Sequence, residues 1–210
     1  MPEGYIRRMV DLVRNKYGGL IICDEVQTGF GRIGTQYWGH RWQGIKPDIV
    51  TMAKGIGNGF PMGAVVTRKE VTDKIKQVYF NTFGGGYLQC RAGMTVLDVI
   101  RKEKLPENCE KVGTYLLNEL SRLAKTHKLI GNVRGKGLMI GIELVKNQET
   151  KEPAKEETAK LMELAKDRGV LLGKGGVYGN VIRFQPPFCF SMEDAKYTVE
   201  VLDDSLHSLK

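Results

Sequence analysis

Leu20-Ile21-Ile22-Cys23-Asp24 and Asp48-Ile49-Val50-Thr51-Met52-Ala53-Lys54 are two short apolar runs, each ending on a charged side chain. Continuous runs rich in β-branched residues read as strands of an α/β sheet covered on both faces. Charged residues at their ends are seldom needed for packing, and lysine is almost never fully buried without a partner. In open α/β sheets, ligands sit outside the carboxyl ends of the strands. Asp24 and Lys54 therefore form a candidate pair facing one ligand, the alternative being a salt bridge that links two loops.

The pattern extends outward from these strands. Ile6, Met9, Val10, Val13 and Tyr17 recur at helical spacing over 4–17, and the helix stops at Gly18-Gly19 just before the first strand. Its arginines could suit a transit peptide, but Glu3 and Asp11 and the abrupt glycine stop favour a folded helix packed on that strand. A further strand is expected over 63–67, then helices over 69–77 and 87–103. Alternation of this kind favours an α/β sheet, with the link between the first two strands acting as a crossover. After Pro106 the texture changes: helix 107–126, a strand around 138–145, a charged helix over 155–168, strands near 170–172 and 181–184, and helix 192–208. That order suits a small α+β domain, so the expected division is 1–103 and 104–210.

Composition narrows the function classes. The 210 residues are 41% hydrophobic and 27% charged, an ordinary balance for a globular chain of one large or two modest domains. The net charge of +8 is spread among mixed lysines and acids, as in Lys151–Lys160, rather than focused with interleaved aromatics, which argues against nucleic-acid binding. Cys23, Cys90, Cys109 and Cys189 form no Cys-x-x-Cys pair, so neither a zinc site nor a redox motif is signalled. No apolar run reaches the roughly 18 residues of a membrane span.

An amine opposite a carboxylate suits one chemistry well. Lysine condenses with aldehydes to a Schiff base, the anchor of pyridoxal phosphate enzymes, and a carboxylate keeps the ring nitrogen of that cofactor protonated. The flanking residues sharpen the reading. Asp24-Glu25-Val26-Gln27-Thr28-Gly29-Phe30-Gly31-Arg32 and Pro47–Pro61 around Lys54 resemble, in order and length, the signatures of the class III aminotransferases, pyridoxal phosphate enzymes of the aspartate-aminotransferase-like fold. The resemblance implies an α/β fold of type I: the PLP-binding large-domain portion followed by the small α+β domain. It also implies that Asp24 pairs with the pyridine nitrogen, Val26 packs on the ring and Gln27 bonds the ring hydroxyl. Lys54 would carry the pyridoxal 5'-phosphate covalently and act as the general base.

Other segments resemble the same family. Phe80-Asn81-Thr82-Phe83-Gly84-Gly85 is similar to the stretch whose threonine reaches the cofactor phosphate of a neighbouring subunit, implying that Thr82 acts across a homodimer or homotetramer. The family's Asn-Pro after the paired glycines is Gly86-Tyr87 here, which weakens the cap of the next helix. Val133–Glu143 resembles a small-domain strand whose glycines serve packing. Arg183, in Asn180-Val181-Ile182-Arg183-Phe184-Gln185-Pro186-Pro187, matches the arginine that holds the substrate α-carboxylate, a task for which guanidinium offers two parallel hydrogen bonds.

The tail from Gly169 to Phe190 is most similar to the alanine–glyoxylate branch of the family, which implies an amino acid donor, an oxo acid acceptor and a mitochondrial setting. The ethanolamine-phosphate phospho-lyase branch is the alternative. The match spans about the C-terminal half of a family member. The backbone cradle for the cofactor phosphate is therefore expected outside these residues, and sheet edges and apolar faces should be left uncovered. A third reading is a chain that does not catalyse by itself.

Overall fold

The apolar stripe of the first helix sets where the sheet begins. Helix α1 (Tyr5–Asp11) runs into a π turn at Leu12–Lys16, and Val10 packs with Ile21 and Ile45, flanked by Ile6, Val13 and Cys23. Gly18 ends the helix at a φ of 63°, a left-handed conformation that glycine adopts without a Cβ penalty. The computed structural model describes residues 4–209. These divide into two compact units: the chain up to Arg32 with Gln36–Pro106, and Ile33–Thr35 with the chain from Glu107 onward.

In the first unit, β1 (Ile22–Asp24) pairs in parallel with β2 (Ile49–Met52), and β2 pairs antiparallel with β3 (Ala64–Thr67). The register sets Asp24 opposite Thr51. The crossover between the parallel strands carries a short helix, α2 (Gly39–Trp42). Ile22, Val65 and Val66 are exposed on this sheet, the uncovered apolar faces that the sequence led us to expect. Helix 69–77 is a correction: α3 covers only Lys69–Thr72 and buries no residue. Without a packed face, a stretch containing β-branched Val71, Thr72 and Ile75 has little to hold it helical. Helix α4 (Tyr87–Lys102) starts at Gly86 with no side-chain cap, as the Gly86-Tyr87 pair implies.

Asp48 braces this unit. Its buried carboxylate accepts the Ile21 amide at 2.8 Å and pairs with Arg14 at 3.0 Å and Arg68 at 2.9 Å. Burial pushes its pKa up, but the Ile21 amide and the two guanidiniums outweigh that and hold it below the usual carboxylate value. A carboxyl whose folded pKa is depressed adds stability that is present above its unfolded pKa, about 3.9, and is lost as pH falls through the lower folded value. Asp48→Asn should therefore lower Tm at neutral pH, and the gap to the parent protein should begin to close only as pH falls below about 3.9. Thermal melts across pH 2 to 8, as a rough range, check this; a gap that persists unchanged into acid would contradict it.

The second unit is built on α5 (Leu105–Thr126), whose Cys109, Val112, Leu116, Leu120 and Leu123 recur at helical spacing and are buried. They pack on one face of an antiparallel sheet ordered β4-β5-β7-β6, from β4 (Ile130–Lys136), β5 (Met139–Leu144), β6 (Gly173–Gly175) and β7 (Val181–Phe184). Helices α6 (Lys155–Asp167) and α7 (Met192–His207) complete the layer, with Ser191 and Asp194 forming a reciprocal capping box at the start of α7.

Two strand readings are corrected here. The single strand around 138–145 is one arm of a hairpin, its other arm being β4, turned by Gly137-Leu138. Gly131, Asn132, Arg134, Gly135 and Lys136 break any apolar alternation in β4, so only the ladder to β5 reveals it. The expected strand 170–172 is a loop. Val170 and Leu172 are buried in the core, and the ladder to β7 forms instead at Gly173–Gly175.

Candidate active site

Because β1 and β2 run parallel, their carboxyl ends emerge at the same edge of the sheet. Asp24 stands at one of these ends, exposed, with its Oδ1 accepting the Val26 amide at 3.0 Å. That bond turns the chain sharply and fixes the carboxylate relative to Val26 and Gln27, both half-buried. Lys54 lies three residues past Thr51, the register partner of Asp24, at the start of a 3-10 turn, Lys54–Ile56. Its backbone is left-handed, with a φ of 48°, and its carbonyl accepts the amides of Gly57 and Asn58 at 3.0 Å each. That conformation is uncommon for a residue with a Cβ. The exposed amine lines a cavity of about 530 Å³ with Arg32, Gly55, Asn58, Phe60 and Met62.

Glycines let the framework close around this turn. A Cβ on Gly93 of α4 would lie 3.0 Å from Met62 Cε, the flexible end of that side chain, and at an ordinary 3.5 Å from the Ile56 carbonyl oxygen, so α4 runs close beside the Lys54 turn. Gly55 lets the Phe30 ring approach to 3.4 Å of the position its Cβ would take.

Glu25 is a site residue that the sequence reading left without a role. It is buried, only 2% exposed, and its carboxylate accepts the Thr28 hydroxyl, the Gly39 amide at 2.9 Å and the His40 amide at 2.7 Å, with His40 Nδ1 at 2.8 Å. Burial raises its pKa, yet these hydrogen bonds prevail and hold it below the ordinary value. It thereby pins the 25–40 loop beside Asp24, where Phe30 packs edge-on against Tyr37 and Trp38 at 5.9 and 5.1 Å between centroids. Its signal in the sequence was its adjacency to Asp24 at a strand end, a place where a second carboxylate needs donors if it turns inward.

Thr82 is exposed in an Asn81-centred turn, where Asn81 Oδ1 accepts the Phe83 amide at 3.0 Å. In the second unit, Arg183 lies on β7 between Gly141 of β5 and Gly173 of β6. A Cβ on Gly173 or Gly175 would sit 3.7 Å from the Arg183 Cβ, so the glycines clear a face of sheet around this arginine. Arg183 is exposed and lines a cavity of about 390 Å³ with Gly173, Gln185, Pro186 and Tyr197. Asp194, the carboxylate in the same lining, is engaged by Ser191 at the helix cap.

Known proteins match this sequence and this fold. The class-III aminotransferase family model matches residues 1–206. A mitochondrial alanine–glyoxylate aminotransferase 2 homolog of Arabidopsis thaliana is 51% identical over 210 residues, covering all of this chain and 44% of that protein. Among solved structures, a phospholyase from Arthrobacter in complex with phosphoethanolamine superposes with a TM-score of 0.95 at 39% identity, over 100% of this chain and 50% of the other. A PLP-bound amine transaminase from an uncultivated Pseudomonas species gives a TM-score of 0.89 at 34% identity, over 100% and 49%. The chain thus spans less than half the length of the curated relative it matches. The fold is the α/β type I architecture of these enzymes. No helix among the described residues is long and apolar enough to cross a membrane.

Pyridoxal phosphate is the cofactor of this family, and the residues present fit it: an oriented, exposed carboxylate and an exposed amine at one sheet edge offer the two groups its ring requires. Two strand-end signatures, the matching fold and a family match over almost the whole sequence lead to one conclusion: this chain belongs to the class-III aminotransferases.

Proposed function

We propose that this chain carries the reactive part of a transaminase site, passing an amino group from alanine or a similar donor to glyoxylate or another oxo acid. The observation that carries the reading is the placement of Asp24 and Lys54 at the shared carboxyl edge of β1 and β2. Pyridoxal phosphate, when bound, supplies the electron sink for carbanion chemistry. Asp24 holds the proton on the ring nitrogen, Val26 packs on the ring and Gln27 bonds its hydroxyl. Lys54 anchors the cofactor and moves the proton at the substrate carbon. Residues 1–103 are the cofactor-binding portion in this reading, and 104–210 form the small domain. Arg183 holds the substrate carboxylate, and the engagement of the neighbouring Asp194 by Ser191 supports the role.

Thr82 reaches a cofactor phosphate across a homodimer or a homotetramer. Support comes from the exposure of Val78, Tyr79, Phe80, Phe83 and Tyr87 around it, apolar surface that a partner subunit would cover. The name of the Arabidopsis relative, which is mitochondrial, supports a mitochondrial location. A second reading, a phospho-lyase acting on phosphoethanolamine, is favoured by the Arthrobacter structure and by a 45% identical phospho-lyase homolog of Caenorhabditis elegans.

The protein, purified with pyridoxal phosphate, should convert alanine and glyoxylate to pyruvate and glycine. Phosphate release from phosphoethanolamine without glycine formation would replace this reading with the second. In the first case Arg183→Gln should raise KM for alanine about 10- to 100-fold, the loss of a charge-assisted pair worth about 1.5 to 3 kcal/mol. An unchanged KM for both substrates would remove Arg183 from carboxylate binding.

A further inference from the structure

Two of the chain's three histidines converge on one carboxylate in the second unit. His127 follows the last turn of α5, buried, its amide bonded to the Leu123 carbonyl at 2.9 Å. Asp203 and His207 stand four residues apart on α7 and so share one face of that helix. Asp203 Oδ1 lies 2.5 Å from His127 Nε2 and 3.2 Å from His207 Nδ1, which also lies 2.9 Å from the Asp203 carbonyl oxygen. The two imidazoles meet edge to face with centroids 4.5 Å apart. A carboxylate that merely satisfied a buried histidine would need one imidazole. Here a second ring closes on the same oxygen, and the ion pairs of Asp203 among the described residues are with these two histidines alone.

We propose that His127, Asp203 and His207 form a zinc site. Their ligand atoms all lie within 4.8 Å of one another. Two imidazoles and a carboxylate are a set that suits zinc, whose affinity for such donors exceeds that of manganese or iron(II). Zinc takes imidazole nitrogen and carboxylate oxygen at about 2.0 to 2.2 Å, which places ligand atoms about 3.3 Å apart in a tetrahedron. The Asp203–His207 contact of 3.2 Å already has this spacing, and the 2.5 Å Asp203–His127 contact would have to open to admit the ion. Each neutral ring turns a nitrogen lone pair to the ion and keeps its one N–H on the other ring nitrogen, and a ring that carries a second proton releases it to solvent as the ion binds. His207 is exposed, so water reaches the fourth position. The ion ties the end of α7 to the turn between α5 and β4. Asp194 and Tyr197 of the Arg183 cavity belong to the other end of α7, so zinc binding here is independent of the transaminase reading and is tested without activity.

The test uses tag-free protein stripped of metal, titrated with zinc chloride by calorimetry and with cobalt(II) by visible absorption. One equivalent of zinc should bind per chain and raise Tm, and cobalt should give the strong visible bands of a tetrahedral site. His207→Ala and Asp203→Asn, each confirmed folded by circular dichroism, should bind at least about 10-fold more weakly, the loss that removal of even an outer partner typically causes. His207→Ala changes an exposed side chain and leaves the core intact. No zinc uptake by the folded parent protein, or equal uptake by parent and variants, overturns the site. So does a Tm that zinc leaves unmoved in the parent.

Discussion

Lys54→Ala should abolish the visible absorption of protein-bound pyridoxal phosphate and lower alanine–glyoxylate transamination by at least about 10³-fold. A positioned general base contributes roughly 10² to 10⁴ in rate, and loss of the covalent anchor adds to that deficit. The backbone complicates the choice of variant. Lys54 occupies left-handed space at a φ of 48°, and its carbonyl closes the turn to Gly57 and Asn58. Alanine is poorly suited to that conformation, whereas asparagine visits it more readily. Lys54→Asn keeps the turn and removes only the amine. Both variants should lose the band and the activity, and Lys54→Asn should melt within a few degrees of the parent. Retained activity in Lys54→Asn would sink the assignment of the amine, whatever Lys54→Ala did.

Gly113→Ala should destabilise the second unit by about 3 kcal/mol, the upper part of the usual range for overpacking. In an ordinary exposed helix position the same change would stabilise by up to about 1 kcal/mol, so the sign itself is diagnostic. The reason is backbone contact. A Cβ on Gly113 of α5 would lie 2.3 Å from the carbonyl carbon and oxygen of Gly137, in the β4–β5 turn. Those atoms cannot rotate aside as a side chain can, so the helix or the hairpin must move. Gly141→Ala is the control: its Cβ would meet Val181 at an ordinary 3.6 Å and should cost little. A Tm fall on the order of 10 °C for Gly113→Ala, against almost none for Gly141→Ala, is expected by thermal melting. Equal shifts for the two would refute the close helix–hairpin approach.

Much of the α/β frame is legible from local pattern. β1, β2, β3 and β7, and the long helices α4 to α7, coincide with apolar runs or helical periodicity, and in α5, α6, α7 and β7 that pattern is the buried face itself. Asp24 and Lys54 are legible for a related reason: a charge that ends an apolar, β-branched run stands out against what packing needs. The corrected elements share the opposite property. β4, with its two glycines and interspersed polar residues, and β6, made of Gly173-Lys174-Gly175, are strands only because neighbours offer backbone hydrogen bonds. Helix α3 ends early because no partner covers it.

From the sequence alone came most of the elements in their order, the candidate pair Asp24 and Lys54 and, through motifs, the family. Only the tertiary structure decided that the Asp24 and Lys54 strands are parallel neighbours whose ends share one edge, that Glu25 turns inward to pin the loop, and that His127 meets Asp203 and His207. Each of these depends on contacts between residues far apart in the chain, which are set by how elements pack and pair, and no local pattern of side chains records them.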